Sequence, residues 1–272
     1  MNNFKKVGIV TGGASGIGKA ICSELISQEV FVMIADINEP MGKSVESELN
    51  ENGINSRYVH LNVSDYNSVE RLIIDVFQEF GRLDYLFNNA GISMYGELYE
   101  MSMENWNEIM DINLWGVING TQIGYRIMQQ QGYGHIVNTA SAAGLGPGPI
   151  TSAYSTTKHA VVGLTTSLHY EAKEFGIKVS TLCPTFVDTP IFAAAKAINI
   201  NKAIMTKQLK KQKMMTPEKL AKIALNGVHK NKSIICPMPM RRTMDIFFIL
   251  FPKAHNALLK MVCNVGRKAR LS

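Results

Sequence analysis

The stretch Val7-Gly8-Ile9-Val10-Thr11-Gly12-Gly13-Ala14-Ser15-Gly16-Ile17-Gly18-Lys19-Ala20 decides the fold. Val7–Val10 is a short apolar run of the kind a strand buried on both faces requires. It ends in a glycine-rich turn, and from Ile17 to Ser27 the apolar positions recur at helical spacing. Glycine lets the chain turn sharply and lets backbone N–H groups approach a pyrophosphate at the helix N-terminus, where the dipole favours negative charge. Asp36 closes a second apolar run, Val30–Ala35, 18 positions past Gly18. A carboxylate there accepts hydrogen bonds from the adenosine ribose hydroxyls and repels a 2′-phosphate, which favours NAD over NADP. No Lys or Arg stands at Ser15 or Ile37 to hold such a phosphate. The spacing Gly13-x-x-x-x-Gly18-Lys19 nearly matches a triphosphate loop, but Ala20 stands where that loop needs a hydroxyl for Mg²⁺.

Outward from this turn, strands are predicted at Arg57–Leu61, Tyr85–Phe87, His135–Thr139 and Val179–Leu182, with Ser233–Cys236 as a last one. Helices are predicted between them at Glu39–Asn50, Val69–Phe80, Glu104–Gln131 and Ala153–Phe175. Asp65 and Ser68 stand at N-cap positions, and Gly81 and Gly176 at C-terminal stops. Strict alternation implies a Rossmann-type α/β fold: a doubly wound parallel sheet in three α/β/α layers. A basic helical segment, about 191–213, interrupts the alternation.

The chain has 272 residues, 46% hydrophobic and 18% charged, with mean hydropathy +0.01. That much apolar material excludes a disordered chain. Four dispersed cysteines without a C-x-x-C pair exclude a disulfide framework or zinc ribbon, and the six histidines show no metal spacing. No signal peptide or membrane-spanning run is read, so a cytoplasmic protein is expected. The net charge of +6 hides an asymmetry. Residues 1–190 carry 11 Lys/Arg against 20 Asp/Glu, whereas 191–272 carry 17 against 2.

Tyr154 and Lys158 lie four apart near the start of a predicted helix and share one face. Free tyrosine, with a pKa of about 10, is a poor base at neutral pH. An ammonium ~4 Å away at an effective dielectric of ~20 favours the phenolate by about 4 kcal/mol, on the order of three pKa units. Ser141, 13 residues upstream of Tyr154 at a strand end, offers a hydroxyl to a substrate oxygen.

Taken in order, T-G-x-x-x-G-x-G at Thr11–Gly18, N-N-A-G at Asn88–Gly91, Asn113, Ser141 and Y-x-x-x-K at Tyr154 and Lys158 resemble the short branch of the short-chain dehydrogenase/reductase family. The match runs from Lys5 to about Cys236. The resemblance implies an NAD-dependent oxidoreductase interconverting a secondary alcohol and a ketone. It makes Tyr154 the general acid and base, with Lys158 lowering its pKa and binding the nicotinamide ribose. Ser141 would polarise the substrate oxygen, and Asn113 would hold a water that links Lys158 to solvent. The implied cofactor contacts are Thr11, Gly12, Ser15, Gly16, Ile17, Gly18, Asp36, Asn62, Val63, Asn89, Ala90, Gly91, Tyr154, Lys158, Pro184, Val187 and Thr189. Two departures stand out: Asn62-Val63 replaces the usual Asp-Val beside the adenine, and Pro184-Thr185 replaces Pro-Gly. Met94, Tyr95, Leu145, Ile191 and Phe192 suit a lipophilic substrate or ordinary packing. A homodimer or homotetramer is a family expectation. An NADP(H)-dependent carbonyl reductase and a non-catalytic dinucleotide-sensing or scaffold protein are the alternatives.

Residues 1–238 are expected to form the catalytic domain, with a substrate loop at about 188–215. Residues 239–272 then form a basic, amphipathic extension. Its aromatics and aliphatics, Phe247, Phe248, Phe251, Leu258, Leu259 and Met261, are flanked by Arg241, Arg242, Arg267, Lys268 and Arg270. That is the composition of a helix lying on an anionic membrane surface. A lid or subunit interface would bury the same side chains. No nucleic-acid motif is present.

Overall fold

A computed structural model describes residues 5–209, 213–238 and 241–271. Its strands are β1 (Lys6–Thr11), β2 (Val30–Asp36), β3 (Ser56–His60), β4 (Tyr85–Asn88), β5 (Met94–Tyr95), β6 (Gly134–Thr139), β7 (Ile177–Leu182), β8 (Lys196–Ala197) and β9 (Ile234–Ile235). Its helices are α1 (Gly16–Ile26), α2 (Glu39–Leu49), α3 (Tyr66–Phe80), α4 (Met103–Met110), α5 (Gly116–Gln131), α6 (Ser152–Glu171), α7 (Ile191–Ala194), α8 (Lys202–Leu209), α9 (Pro217–His229), α10 (Arg241–Leu250) and α11 (Pro252–Arg267).

Seven strands form one parallel sheet in the order β3-β2-β1-β4-β6-β7-β9. Both faces are covered, which is why its strands read as continuous apolar runs rather than alternating ones. Val10, Ile34, Val45, Leu220 and Ala224 form the core under α1, α2 and α9. Val7, Ile9, Val69, Leu72, Ile123 and Ala172 form the other, under α3, α5 and the end of α6. The strand order reverses between β1 and β4. In doubly wound sheets that switch point opens a ligand crevice at the C-terminal strand ends.

The expected C-terminal stops hold, whereas α3 begins at Tyr66 rather than Val69, capped by Asp65, which places Ser68 inside the helix. Asp65 accepts from the backbone N–H of Asn67 at 3.0 Å and from the Ser68 hydroxyl, and Gly81 ends α3 in the left-handed conformation at φ 67°. Gly176 does the same after α6, at φ 71°.

Two expectations change. The predicted helix Glu104–Gln131 is two helices, α4 and α5, joined by a π-helical turn at Asp111–Trp115 that carries Asn113. Such turns insert one residue into the α-helical ladder and shift the register of every later turn, which hydrophobic spacing does not announce. The basic segment at 191–213 is likewise not one helix. After α7 the chain extends as β8 and pairs in parallel with β5, outside the main sheet, before α8 begins. Residues 210–212 of that segment, and 239–240 at the expected domain boundary, lie outside the described residues.

The chain end returns to the body. Past α11, Arg270 bridges to Ile200, the N–H of Asn201 donates to the Ala269 oxygen at 2.6 Å, and that of Leu271 to the Asn199 oxygen at 2.9 Å. Ala269 is buried with Ile200 and Met205.

Candidate active site

The glycine turn lies at the switch point, between the ends of β1 and β4. Gly12 and Gly16 adopt positive φ, 64° and 50°. A Cβ at Gly18 would run into the Gly12 carbonyl, and one at Gly12 would lie 2.9 Å from the Ala90 Cα. The two motif loops are therefore packed backbone to backbone, which explains the glycines sterically. Thr11 stitches them: its hydroxyl accepts from the N–H groups of Asn89 and Ala90 at 2.9 and 3.0 Å. Asn89 adds a bond from Nδ2 to the Thr11 oxygen at 3.1 Å. Thr189 closes the turn from the far side, since a Cβ at Gly16 would lie 3.0 Å from its Cγ2. Lys19 pairs with Glu48 at 2.7 Å on the outside, the wrong direction for a triphosphate-loop lysine.

Asp36 lies at the rim of the same turn. Its Oδ2 accepts from Ala14 N–H at 3.0 Å and its Oδ1 from Asn38 N–H at 2.9 Å. A carboxylate has further lone pairs to offer, so these bonds fix its orientation without exhausting it.

Across the crevice, Lys158 is buried in α6, and its Nζ donates to the Thr139 oxygen at the end of β6 at 2.9 Å. The ammonium is 5.7 Å from the centre of the Tyr154 ring. Ser141, at the N-terminus of a short turn after β6, accepts from Ala143 N–H at 3.1 Å, and its hydroxyl favours the Tyr154 phenolate. Burial pushes Tyr154 up to about 12 and Lys158 down to about 8. The lowering of Tyr154 towards neutrality expected from Lys158 is not what the structure shows: burial dominates, and the one lowering influence is the Ser141 hydroxyl. A site dry enough to strengthen their attraction also disfavours both charged forms.

Asn113 differs from expectation in its side chain. Oδ1 accepts from Ile92 N–H at 2.8 Å, and Nδ2 donates to the Ile92 oxygen at 2.9 Å and to the Thr157 hydroxyl at 3.4 Å. The amide is committed to pinning the chain after Gly91. A water at this position would have to rest on the main chain, where the π turn departs from the α-helical ladder.

These are the geometry and residue order of one family. A short chain dehydrogenase family model matches residues 6–199. The chain belongs to the short-chain dehydrogenase family. It is 36% identical over 185 residues to a 3beta-hydroxysteroid dehydrogenase 2 of Eggerthella lenta, covering 67% of this chain and 71% of that protein. A short-chain dehydrogenase/reductase of Burkholderia phymatum, solved in complex with NAD, superposes with a TM-score of 0.81 at 30% identity, covering 89% of this chain and 93% of that one. ElxO, solved with NADP bound, superposes at 0.75 with 28% identity, covering 85% and 96%. The protein is a short-chain dehydrogenase of the oxidoreductase class, and its structural neighbours bind NAD or NADP.

As a short-chain dehydrogenase, the chain fits a dinucleotide: the glycine turn leads into the N-terminus of α1, whose backbone N–H groups suit a phosphate, and an acidic residue lies at its rim. Gly91 is beside Lys158, since a Cβ there would lie 3.5 Å from its Nζ. Two implied contacts differ in detail. The Asn62 amide oxygen already accepts from the N–H and the hydroxyl of Ser64, at 3.1 and 2.8 Å. Val187 is buried against the α9 side of the core, so it offers the crevice only its backbone, while Val63 packs on Gly116. Thr185 is not among the positive-φ residues, so glycine is not required there. Pro184 accepts from Ala142 N–H at 2.8 Å and ties the loop after β7 to the Ser141 turn.

Of the residues considered for a substrate pocket, Met94 is buried in the apolar cluster around Tyr154, with Ile109, Trp106 and Ile198. Leu145 packs instead against Ala140 and Cys183, Tyr95 lies with Ile200 and Met205, and Phe192 in α7 faces the Phe186 ring at 6.3 Å. A cavity of about 340 Å³ lies away from the site, on the outer faces of α5 and α6 between Tyr125, Arg126 and Leu168.

One supporting group escaped sequence reasoning. Asn88 Nδ2 donates to Asn138 Oδ1 at 2.8 Å and to the Thr121 hydroxyl at 3.2 Å, and Asn138 Nδ2 donates to the Thr165 hydroxyl at 3.1 Å. This buried network locks β4 to β6, α5 and α6 directly beneath the crevice. Asn88 was visible in the N-N-A-G motif, but nothing in the sequence paired it with Asn138.

Proposed function

We propose that this protein is an NAD-dependent oxidoreductase that interconverts a lipophilic secondary alcohol and its ketone. The observation that carries the proposal is the convergence of the Ser141 hydroxyl, the Tyr154 phenol and the Lys158 ammonium at the mouth of an apolar cluster. The cofactor supplies hydride acceptance or donation and, when oxidised, a positive ring charge.

The protein's part is position and proton transfer. Ser141, held by Ala143 N–H, donates its hydroxyl proton to the substrate oxygen and so aligns that oxygen with the neighbouring phenol. Tyr154 takes the hydroxyl proton during alcohol oxidation and returns it during ketone reduction. With the phenol pushed up to about 12, it rests protonated at neutral pH, ready to act as an acid. Lys158, held by Thr139, stabilises the phenolate that forms during proton transfer. Asn113 fixes the loop after Gly91 that borders Lys158, a positioning role. Thr11 and Asn89–Gly91 shape one wall of the cofactor crevice, while Pro184, Val187 and Thr189 shape the other.

Asp36 supports NAD: its carboxylate is fixed at the rim of the turn by Ala14 and Asn38. The apolar lining by Met94, Trp106, Ile109 and Ile198 supports a lipophilic substrate, and the 3beta-hydroxysteroid dehydrogenase relative is consistent with one.

A panel of steroid, retinoid, long-chain and small secondary alcohols with NAD, followed by NADH absorbance, tests the proposal. Turnover of at least one lipophilic alcohol is expected, falling by about 10²-fold or more in Tyr154→Phe. Equal turnover in that variant would remove Tyr154 from the chemistry. Tight NAD binding with no turnover across the panel would favour a dinucleotide-sensing protein instead.

A further inference from the structure

Among the described residues, α11 repeats apolar side chains at Leu258, Met261 and Val262, and all three face outward and are exposed. Their spacing of three and four residues makes one continuous stripe. Leu259, Cys263 and Gly266, on the adjoining face, are partly buried, and Gly266 packs against Ile150. The helix thus turns one apolar face to the body and presents a second to solvent.

α10 adds to the outer surface. Ile246, Phe247, Ile249, Leu250 and Phe251 are exposed, Ile249 at 77% and Leu250 at 66%. The elbow between the helices is fixed, because the Phe247 ring packs on Phe251 at 4.9 Å and Phe248 stacks on His255 at 4.5 Å. Exposed apolar patches of this extent mark an interaction site on a water-soluble protein.

Charge identifies the partner. Residues 241–272 hold seven Lys/Arg and one acidic residue, Asp245. Arg267 and Arg270 are paired with Glu97 and Glu100, while Lys253 and Lys260 in α11 and Lys268 at its end are exposed. Lysine is depleted at protein interfaces, where its head group must lose water. At a bilayer the same side chain keeps its head in water while its stem lies along apolar surface. No helix among the described residues is long and apolar enough to cross a membrane, so insertion would be in the plane of the interface.

We propose that the α10–α11 hairpin is a docking surface for an anionic lipid bilayer, with the apolar stripe of α11 and the exposed side chains of α10 entering the acyl boundary and the lysines meeting anionic headgroups. The hairpin is not a loose tail, because its far end is bonded to residues 199–201 and ion-paired to Glu97 and Glu100. Docking would therefore hold the whole protein at a set orientation. The proposal stands whether or not the catalytic assignment does.

The test uses the full chain with vesicles of phosphatidylcholine alone and of phosphatidylcholine with one third phosphatidylglycerol, read by co-sedimentation and in parallel by sedimentation velocity without lipid. Binding to the anionic vesicles that weakens with added salt is expected. Leu250→Glu with Met261→Glu should weaken it about tenfold or more. Lys253→Glu with Lys260→Glu and Lys268→Glu should remove the preference for phosphatidylglycerol. If the apolar variant misfolds, the lysine variant decides the question, because it alters exposed charges alone. Absence of binding, or unchanged binding in the folded variants, overturns the proposal. So does an oligomer that the apolar variant converts to monomer, which would assign the stripe to a second copy of the chain.

Discussion

Lys158 donates from its buried Nζ to the main-chain oxygen of Thr139 at 2.9 Å, so the one lysine of α6 is fixed to the end of the inner strand β6. Burial holds it at about 8, well below an ordinary lysine, yet it stays predominantly charged at neutral pH. The strand that carries Thr139 also leads to Ser141. One short run therefore positions both the hydroxyl and the ammonium that the proposed mechanism uses.

Replacing Lys158 by Met should lower single-turnover hydride transfer at saturating NAD by about 10²-fold or more. Lys158→Arg should not restore it, because the space beside Gly91 suits an ammonium and leaves little room for a guanidinium. Rapid-mixing absorbance separates this from weaker cofactor binding. A rate within a few-fold of wild type for Lys158→Met would show that Tyr154 acts without it.

Asp36→Asn should move the ratio of NADP to NAD dissociation constants about tenfold towards NADP, by removing a fixed negative charge from the ribose site. Titration calorimetry with both dinucleotides measures the ratio. Wild-type protein that binds NADP more tightly than NAD would contradict the assignment before any variant is made.

His135 is buried, with Nε2 2.9 Å from the Ser180 hydroxyl, and burial pushes it down to about 3. Between about pH 6.5 and 3 the unfolded chain binds a proton that the folded protein does not. Stability from this group is complete above about 6.5 and is lost as pH falls, on the order of 4 kcal/mol by pH 3. Denaturant unfolding across that range should show a shallower acid arm in His135→Gln than in wild type. Parallel arms would place the acid sensitivity elsewhere.

Arg270 reaches Glu100 at 2.5 Å, and the Glu100 carboxylate is only 7% exposed, with Oε2 unpartnered. Arg270→Ala strands that carboxylate, whereas Arg270→Ala with Glu100→Gln removes it. The single variant should lose about 1 kcal/mol, after allowing for the solvent exposure of Arg270, and the double variant less. Amide hydrogen exchange should rise in 196–205, the segment the chain end holds down. Unchanged exchange there would mean that the backbone bonds of Asn199 and Asn201 suffice.

The layers of the fold were legible because the inner strands are buried on both faces and several helix ends are marked by local chemistry, as at Asp65 and Gly81. The cofactor cradle and the Tyr154–Lys158 pair were legible for a similar reason: residues in short, rigid motifs share a face or a turn, whatever the rest of the chain does. The split of the predicted 104–131 helix was not. A π turn at Asn113 is set by what that amide meets, the backbone of Ile92, and spacing along one helix carries no record of it.

The sequence by itself determined the phosphate turn, the alternating layers and the residues available for proton transfer, because steric need and hydrophobic period are local properties. Tertiary structure decided three things. It tied the Asn113 amide to the loop after Gly91, and it raised Tyr154 by burying it. It also folded Arg270 back to Glu100 across 170 positions while leaving the outer stripe of α11 exposed. Each depends on which distant groups share a dry space, and only the packed chain brings those groups together.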